Sequence, residues 1–135
     1  MGFMAWTDNL SVSVMEIDNQ HKRLIDLINN LYDAMKMGKG KDVLSVTLDE
    51  LAAYSVEHFS AEERYMQKYS YDGYTAHKAE HDAFIQKVTE FKQGFEAGKA
   101  LLSIEVMNFL RDWTVNHIAE VDTRFGAFLN TKGFK

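Results

Sequence analysis

Three stretches of this chain obey one spacing rule. Leu44, Leu48, Leu51, Ser55, His58, Glu62 and Tyr65 follow one another at alternating steps of four and three. Tyr74, His77, His81, Phe84, Val88, Phe91 and Phe95 do the same, as do Val106, Leu110, Trp113 and His117. Such steps keep side chains on one face of an α-helix, whereas a strand needs a period of two. They also make the seam along which helices pack at a shallow angle. No proline interrupts the stripes, and Gly38, Gly40, Gly73 and Gly98 stand where they stop. The spacing predicts helices over 19–37 (with Asp18 as N-cap), 41–69, 74–97 and from Leu101 onward. The first carries Leu24, Ile28, Leu31 and Met35, with His21 three residues before Leu24. Short connections then predict an all-α fold, an antiparallel up-down-up-down four-helix bundle. Residues 1–17 read as an N-terminal arm without helical period, and the tail RFGAFLNTKGFK as an aromatic cap. A length of 135 residues fits one domain, 1–135.

A bundle alone does not explain what the stripes contain. All five histidines of the chain fall on inward positions, and Glu62 lies one turn after His58. A lone core-facing histidine is ordinarily satisfied by a single carbonyl. Five imidazoles and a carboxylate must all be desolvated, against a total stability of ~5–15 kcal/mol. A metal centre removes the difficulty, because neutral imidazole and carboxylate then become ligands. With no cysteine in the chain, disulfides, thiolate zinc sites and iron–sulfur clusters are excluded. Any metal here takes nitrogen and oxygen donors.

Other functions are closed off by composition. The net charge is −5 with both signs intermixed, which offers no basic surface for nucleic acid. No apolar run approaches the roughly 20 residues of a membrane span, so no membrane insertion is expected. MGFMAWTDNL lacks the basic-then-apolar order of a secretory signal, and Trp6 stands where an N-myristoylation pattern needs Ser or Thr. The expected location is cytoplasmic.

Spacing leaves one ligand open. Downstream of His117 the nearest carboxylates are Glu120, at three residues, and Asp122, at five. At ~100° per residue, a step of five points about 140° away from His117. Regular spacing therefore favours Glu120. A locally wide turn, or the end of the helix, would swing Asp122 back.

The set His21, His58-x-x-x-Glu62, His77-x-x-x-His81 and His117-x-x-x-x-Asp122 resembles the hemerythrin family, in particular its single-domain bacterial members. The stretches IDNQHKRLIDLINNL, HFSAEERYM, HKAEHDAF and WTVNHIAEVD extend the resemblance over nearly the whole chain. It implies two iron ions per chain in a non-haem di-iron centre within the bundle. His77, His81 and His117 would bind one iron, and His21 and His58 the other. Glu62 and Asp122 would bridge both, with an oxo or hydroxo group as third bridge. One coordination position then stays open, on the iron with two imidazoles. The resemblance implies reversible dioxygen binding, as a carrier, store or sensor, and not catalysis. The alternatives are a di-iron redox enzyme reducing peroxide or nitric oxide, and an iron-handling protein. Dioxygen is the implied partner, and no protein recipient of it is legible. Leu24, Phe59, Trp113 and Thr114 would line the oxygen pocket, within an apolar wall that adds Ile28, Phe84 and Leu110. The family often has proline after the tyrosine of the second connection, where Tyr71 here precedes Asp72. Many relatives have leucine where this chain has Thr114, whose hydroxyl is expected to bond the carbonyl of Leu110.

Overall fold

The structure, a computed structural model, describes residues 3–38, 41–98 and 104–135. Gly40 and Leu101, where helix ends are expected, lie outside them. Among the described residues there are long helices and no strand: α1 is Met15–Lys36, α2 Lys41–Lys68, α3 Tyr74–Glu96 and α4 Ile104–Asn116. A more widely wound segment, His117–Asp122, leads from α4 directly into α5, Thr123–Thr131. None of these helices is long and apolar enough to cross a membrane.

Side-chain contacts establish that neighbouring helices run antiparallel. Between α1 and α2, Glu16 meets Tyr65 and Gln20 meets His58. Between α2 and α3, Asp49 meets Lys92, Phe59 meets Phe84 and Gln67 meets Tyr74. Along α3 and α4, Phe91 packs on Phe109, Phe84 on Trp113 and His81 on His117. In every pair one number rises as the other falls. The result is the expected four-helix bundle.

Its core is the stripe residues in bulk: Leu24, Ile28, Leu31, Leu48, Leu51, Phe59, Phe84, Val88 and Leu110 are all buried. The stripes drift near the bundle ends. Tyr65, Tyr74, Phe91 and Val106 are only half-buried, and Met107 takes the core position expected of Val106. A 3.5-residue repeat slips against a helix of 3.6 residues per turn, so single positions rotate off the seam, although Phe95, beyond Phe91, stays buried.

Two expectations at the chain ends are corrected. α1 begins at Met15, and its N-cap is Val14 rather than Asp18. The Asp18 carboxylate instead accepts the Val12 N–H at 2.8 Å and the Ser11 hydroxyl at 2.5 Å, tying the arm to the first turn. The arm makes one short 3-10 turn, Asp8–Leu10, and then runs irregularly to Met15, with Leu10, Val12 and Val14 buried. Met4 is held both ways by the Asn29 side chain, at 2.8 Å each. The tail is a helix, with Phe125 and Leu129 in the core. Where arm and tail cross, a Cβ on Gly126 would overlap the backbone carbonyl of Val12, so only glycine admits this approach.

Candidate metal centre

His21, His58, Glu62, His77, His81, His117 and Asp122 are each no more than 3% exposed. They come from α1, α2, α3 and the segment after α4, and meet inside the bundle. Their donor atoms form two groups, each within 4.8 Å: Glu62, His77, His81, His117 and Asp122, and His21, His58, Glu62 and Asp122. The two carboxylates belong to both. Asp122 turns Oδ1 to His77 Nε2 at 2.8 Å and His117 Nε2 at 3.1 Å, and Oδ2 to His21 Nε2 at 3.0 Å. Glu62 turns Oε1 to His81 Nε2 at 3.2 Å, and Oε2 to His58 and His21 at 3.5 and 3.6 Å. Each carboxylate thus gives one oxygen to each imidazole group.

These short distances are not hydrogen bonds. Both oxygens of Glu62 and of Asp122, and the Nε2 atoms of His21, His58 and His77, are buried without a partner of acceptable geometry. His81 and His117 make the reason plain. Their Nδ1 atoms contact carboxylates, Glu63 and Glu80, at 2.9 Å each and so carry the hydrogens. Their Nε2 atoms then oppose lone pair to lone pair at 3.2 Å. Buried donors that avoid one another and aim at common points fit cations, and the all-nitrogen-and-oxygen set fits iron.

How Asp122 comes to face inward is a matter of helix winding. His117–Asp122 is a π-helix, whose i→i+5 repeat returns a step of five to the same face. Asp122 is buried, and Glu120, which regular spacing favoured, is exposed. The Thr123 hydroxyl accommodates the wide turn by bonding the carbonyl of Ile118 at 3.0 Å.

Of the residues expected in the apolar wall, Phe59 and Trp113 contact the histidines of the cluster directly. Leu24, Ile28, Phe59, Phe84 and Leu110 are buried. The Phe59 ring lies flat on His81 with centroids 4.0 Å apart, and half-buried Trp113 lies flat on His117 at 4.4 Å. Thr114 departs from expectation. It is fully buried, yet its hydroxyl has no partner, so the bond to the Leu110 carbonyl is not made. Thr47, Ser55 and Thr89 all make the corresponding bond to the residue four before. The sequence reading also passed over Gln20, Glu63 and Glu80, which grip His58, His81 and His117 from outside. Their signal was present, since each is adjacent in sequence to a candidate ligand.

Without metal, protons occupy the centre unevenly. Burial opposes a charge on His21, but Asp122 and Glu62 outweigh it and raise its pKa to about 10. At His58 burial prevails over Glu62, and the pKa falls to about 4. Burial and the charge of Asp122 push Glu62 upward, but His58, His21 and His81 hold it well below the usual carboxylate range. At neutral pH the metal-free protein therefore keeps His21 as the doubly protonated, charged imidazolium and His58 as the neutral imidazole with a single N–H. A cation must displace the extra proton, so loading near pH 7 should release protons, His21 first among them and His117, also raised against its burial by Asp122 and Glu80, adding to it. Metal affinity should strengthen as pH rises and level off above about 10, the His21 value. Calorimetric loading in buffers of different ionisation heat measures the release, and none at neutral pH would contradict this ordering.

Comparison with known proteins agrees with the geometry. The family described as Hemerythrin HHE cation binding domain matches residues 13–129. A bacteriohemerythrin of Methylococcus capsulatus is 38% identical over 96% of this chain and 99% of its own length. One from Pseudomonas aeruginosa is 36% identical over 93% of this chain and 80% of its own. A solved wild-type hemerythrin, 38% identical, superposes with a TM-score of 0.88 over 93% of this chain and 96% of its own.

Proposed function

Since the chain belongs to the hemerythrin family, we propose that it acts as a single domain that binds dioxygen reversibly at a centre of two iron ions. In this reading His77, His81 and His117 hold one ion, and His21 and His58 hold the other. Glu62 and Asp122 bridge them, together with an oxo or hydroxo group. When bound, the irons would supply a reversible exchange of electrons with dioxygen, and the side held by His21 and His58, with fewer protein ligands, would be the one to take it.

The chain's own residues do the rest. Five neutral imidazoles against two carboxylates make a less anionic set than ferritin-like oxygen-activating centres use, which disfavours high oxidation states. Leu24, Phe59 and Trp113, with Ile28, Phe84 and Leu110, keep bulk water and its protons from the cluster. The observation that carries the reading is the pair of buried carboxylates, each turning one oxygen to each imidazole group while making no hydrogen bond.

Reconstitution with ferrous iron under nitrogen, followed by metal analysis and optical spectra before and after air, tests it. The expected result is about two irons per chain, as in other di-iron bundles, and an absorption that appears with air and fades when oxygen is withdrawn. Saturation at one iron with all ligands intact would sink the two-metal reading. A change that does not reverse, with turnover of peroxide or nitric oxide, would favour a redox enzyme.

Thr114 sets a limit on oxygen retention. Its unpartnered hydroxyl is a proton donor within the otherwise apolar wall, one turn before His117. Thr114→Leu should slow the loss of oxygen-binding capacity in air by about fivefold, the rate equivalent of a hydrogen bond worth ~1 kcal/mol. An unchanged rate at full metal content would leave Thr114 a packing residue.

A further inference from the structure

Three of the five imidazoles are gripped from outside, each by the helix before its own. Gln20 of α1 reaches His58 of α2, with Oε1 2.6 Å from Nδ1. Glu63 of α2 reaches His81 of α3 at 2.9 Å. Glu80 of α3 reaches His117 of the π segment at 2.9 Å. Each gripping residue is the sequence neighbour of a candidate ligand: Gln20 beside His21, Glu63 beside Glu62, Glu80 beside His81. Neighbours on a helix point ~100° apart. One therefore enters the centre while the other reaches across the seam. His21 and His77 have no such partner, their Nδ1 atoms being buried and unbonded.

The chemistry of the three grips differs. Because the Nε2 atoms face the centre, each gripped Nδ1 carries the hydrogen and donates it outward. Behind the group with three histidines the acceptors are two carboxylates. Behind the group with two, the acceptor is a neutral amide. An anionic acceptor pulls the Nδ1 hydrogen and makes Nε2 a stronger donor to a cation.

We propose that Gln20, Glu63 and Glu80 are positioning residues of the metal centre, and that the contrast between two carboxylates and one amide makes its halves electrically unequal. The half with His77, His81 and His117 holds a cation more tightly and favours its oxidised state. The half with His21 and His58 is the weaker and more easily reduced. This inference rests on the metal-binding reading above. It adds residues outside the ligand set and an order between the two halves.

Zinc alone can read the order. Wild type, titrated with Zn²⁺ against a coloured chelator, should bind two ions in two resolvable steps. Glu63→Ala and Glu80→Ala should each weaken the tighter step by about 10–100-fold and leave the looser step in place. Glu63 is the less exposed of the two, at 18% against 44%, so its loss should have the larger effect. Glu63→Gln and Glu80→Gln retain an acceptor oxygen. They should keep the downfield Nδ1–H proton signals of His81 and His117 in the zinc-loaded protein, yet still lose part of the affinity. Gln20→Glu should tighten the looser step. With iron, the two Glu→Gln changes should move one midpoint potential in the positive direction, which a purely structural role would not do. Should an Ala variant fail to fold, the Gln20→Glu and Glu→Gln proteins still decide the matter. Affinities within twofold of wild type for all of them, with wild type binding two Zn²⁺, would overturn the inference and leave the functional reading standing. A wild type that binds no pair of ions would overturn that reading, and this one with it.

Discussion

Asp122→Ala should abolish the two-metal centre, and Glu120→Ala should leave it untouched. Both residues are acidic and lie within five positions of His117, so charge and composition change equally. Only their direction differs. Asp122 is buried with one oxygen 2.8 Å from His77 and the other 3.0 Å from His21, one in each imidazole group. Its removal strips a donor from both groups at once. Loss of an outer hydrogen-bond partner alone costs ~10–100-fold in metal affinity, so loss of a shared ligand should exceed ~100-fold. Glu120 is exposed on the far side of the wide turn. Iron content per chain and the optical spectrum of each variant provide the comparison. Retention of two irons by Asp122→Ala, or their loss from Glu120→Ala, would show that the winding of this segment does not govern ligation.

Removing the metal should lower the melting temperature by roughly 10–20 °C. Metal that binds the folded chain and not the unfolded one stabilises by ~4 kcal/mol at a thousandfold excess over its dissociation constant. In a domain of this size, each kcal/mol moves the midpoint by ~3–5 °C. The local reason is the set of buried atoms in Glu62, Asp122, His21, His58 and His77 that no hydrogen bond satisfies. Calorimetry of the metal-free and di-iron forms at one pH makes the test, and coincident transitions would refute it. Acid should widen the damage in the metal-free form. Glu62 and Asp122 are held below their ordinary values, so their contribution is present above about 4 and lost as pH falls further. His58 is also lowered, from 6.5 to about 4, so the unfolded chain gains a proton first and the fold weakens between those values. His21 acts in the opposite sense. Raised from 6.5 to about 10, it contributes fully below 6.5 and loses that contribution as pH rises through 10.

The stripes were readable because helical periodicity is a local property. Leu48, Leu51, Phe84, Val88 and Leu110 needed nothing but their spacing to be assigned to a core, and they are in it. The chain ends were harder. Val12 lies against a distant helix because Gly126 there lets the backbone come close, and no local pattern announces that. Asp18 looked like a cap because its type suits one. Its actual partners, Ser11 and Val12, are set by where the arm turns.

The same division runs through the metal centre. By itself the sequence determined that five imidazoles and Glu62 would share inward faces, because steps of three and four repeat the helix turn wherever the helix packs. It determined the donor chemistry as well, because a chain without cysteine has only nitrogen and oxygen to offer. Tertiary structure decided that Asp122 and not Glu120 completes the cluster, since one turn wound at five residues instead of four reverses the two directions. It decided that the Thr114 hydroxyl stays unbonded, and that Gln20, Glu63 and Glu80 each grip the histidine of the next helix. Those outcomes depend on helix winding and on distances across seams, and the spacing of residues along one chain carries neither.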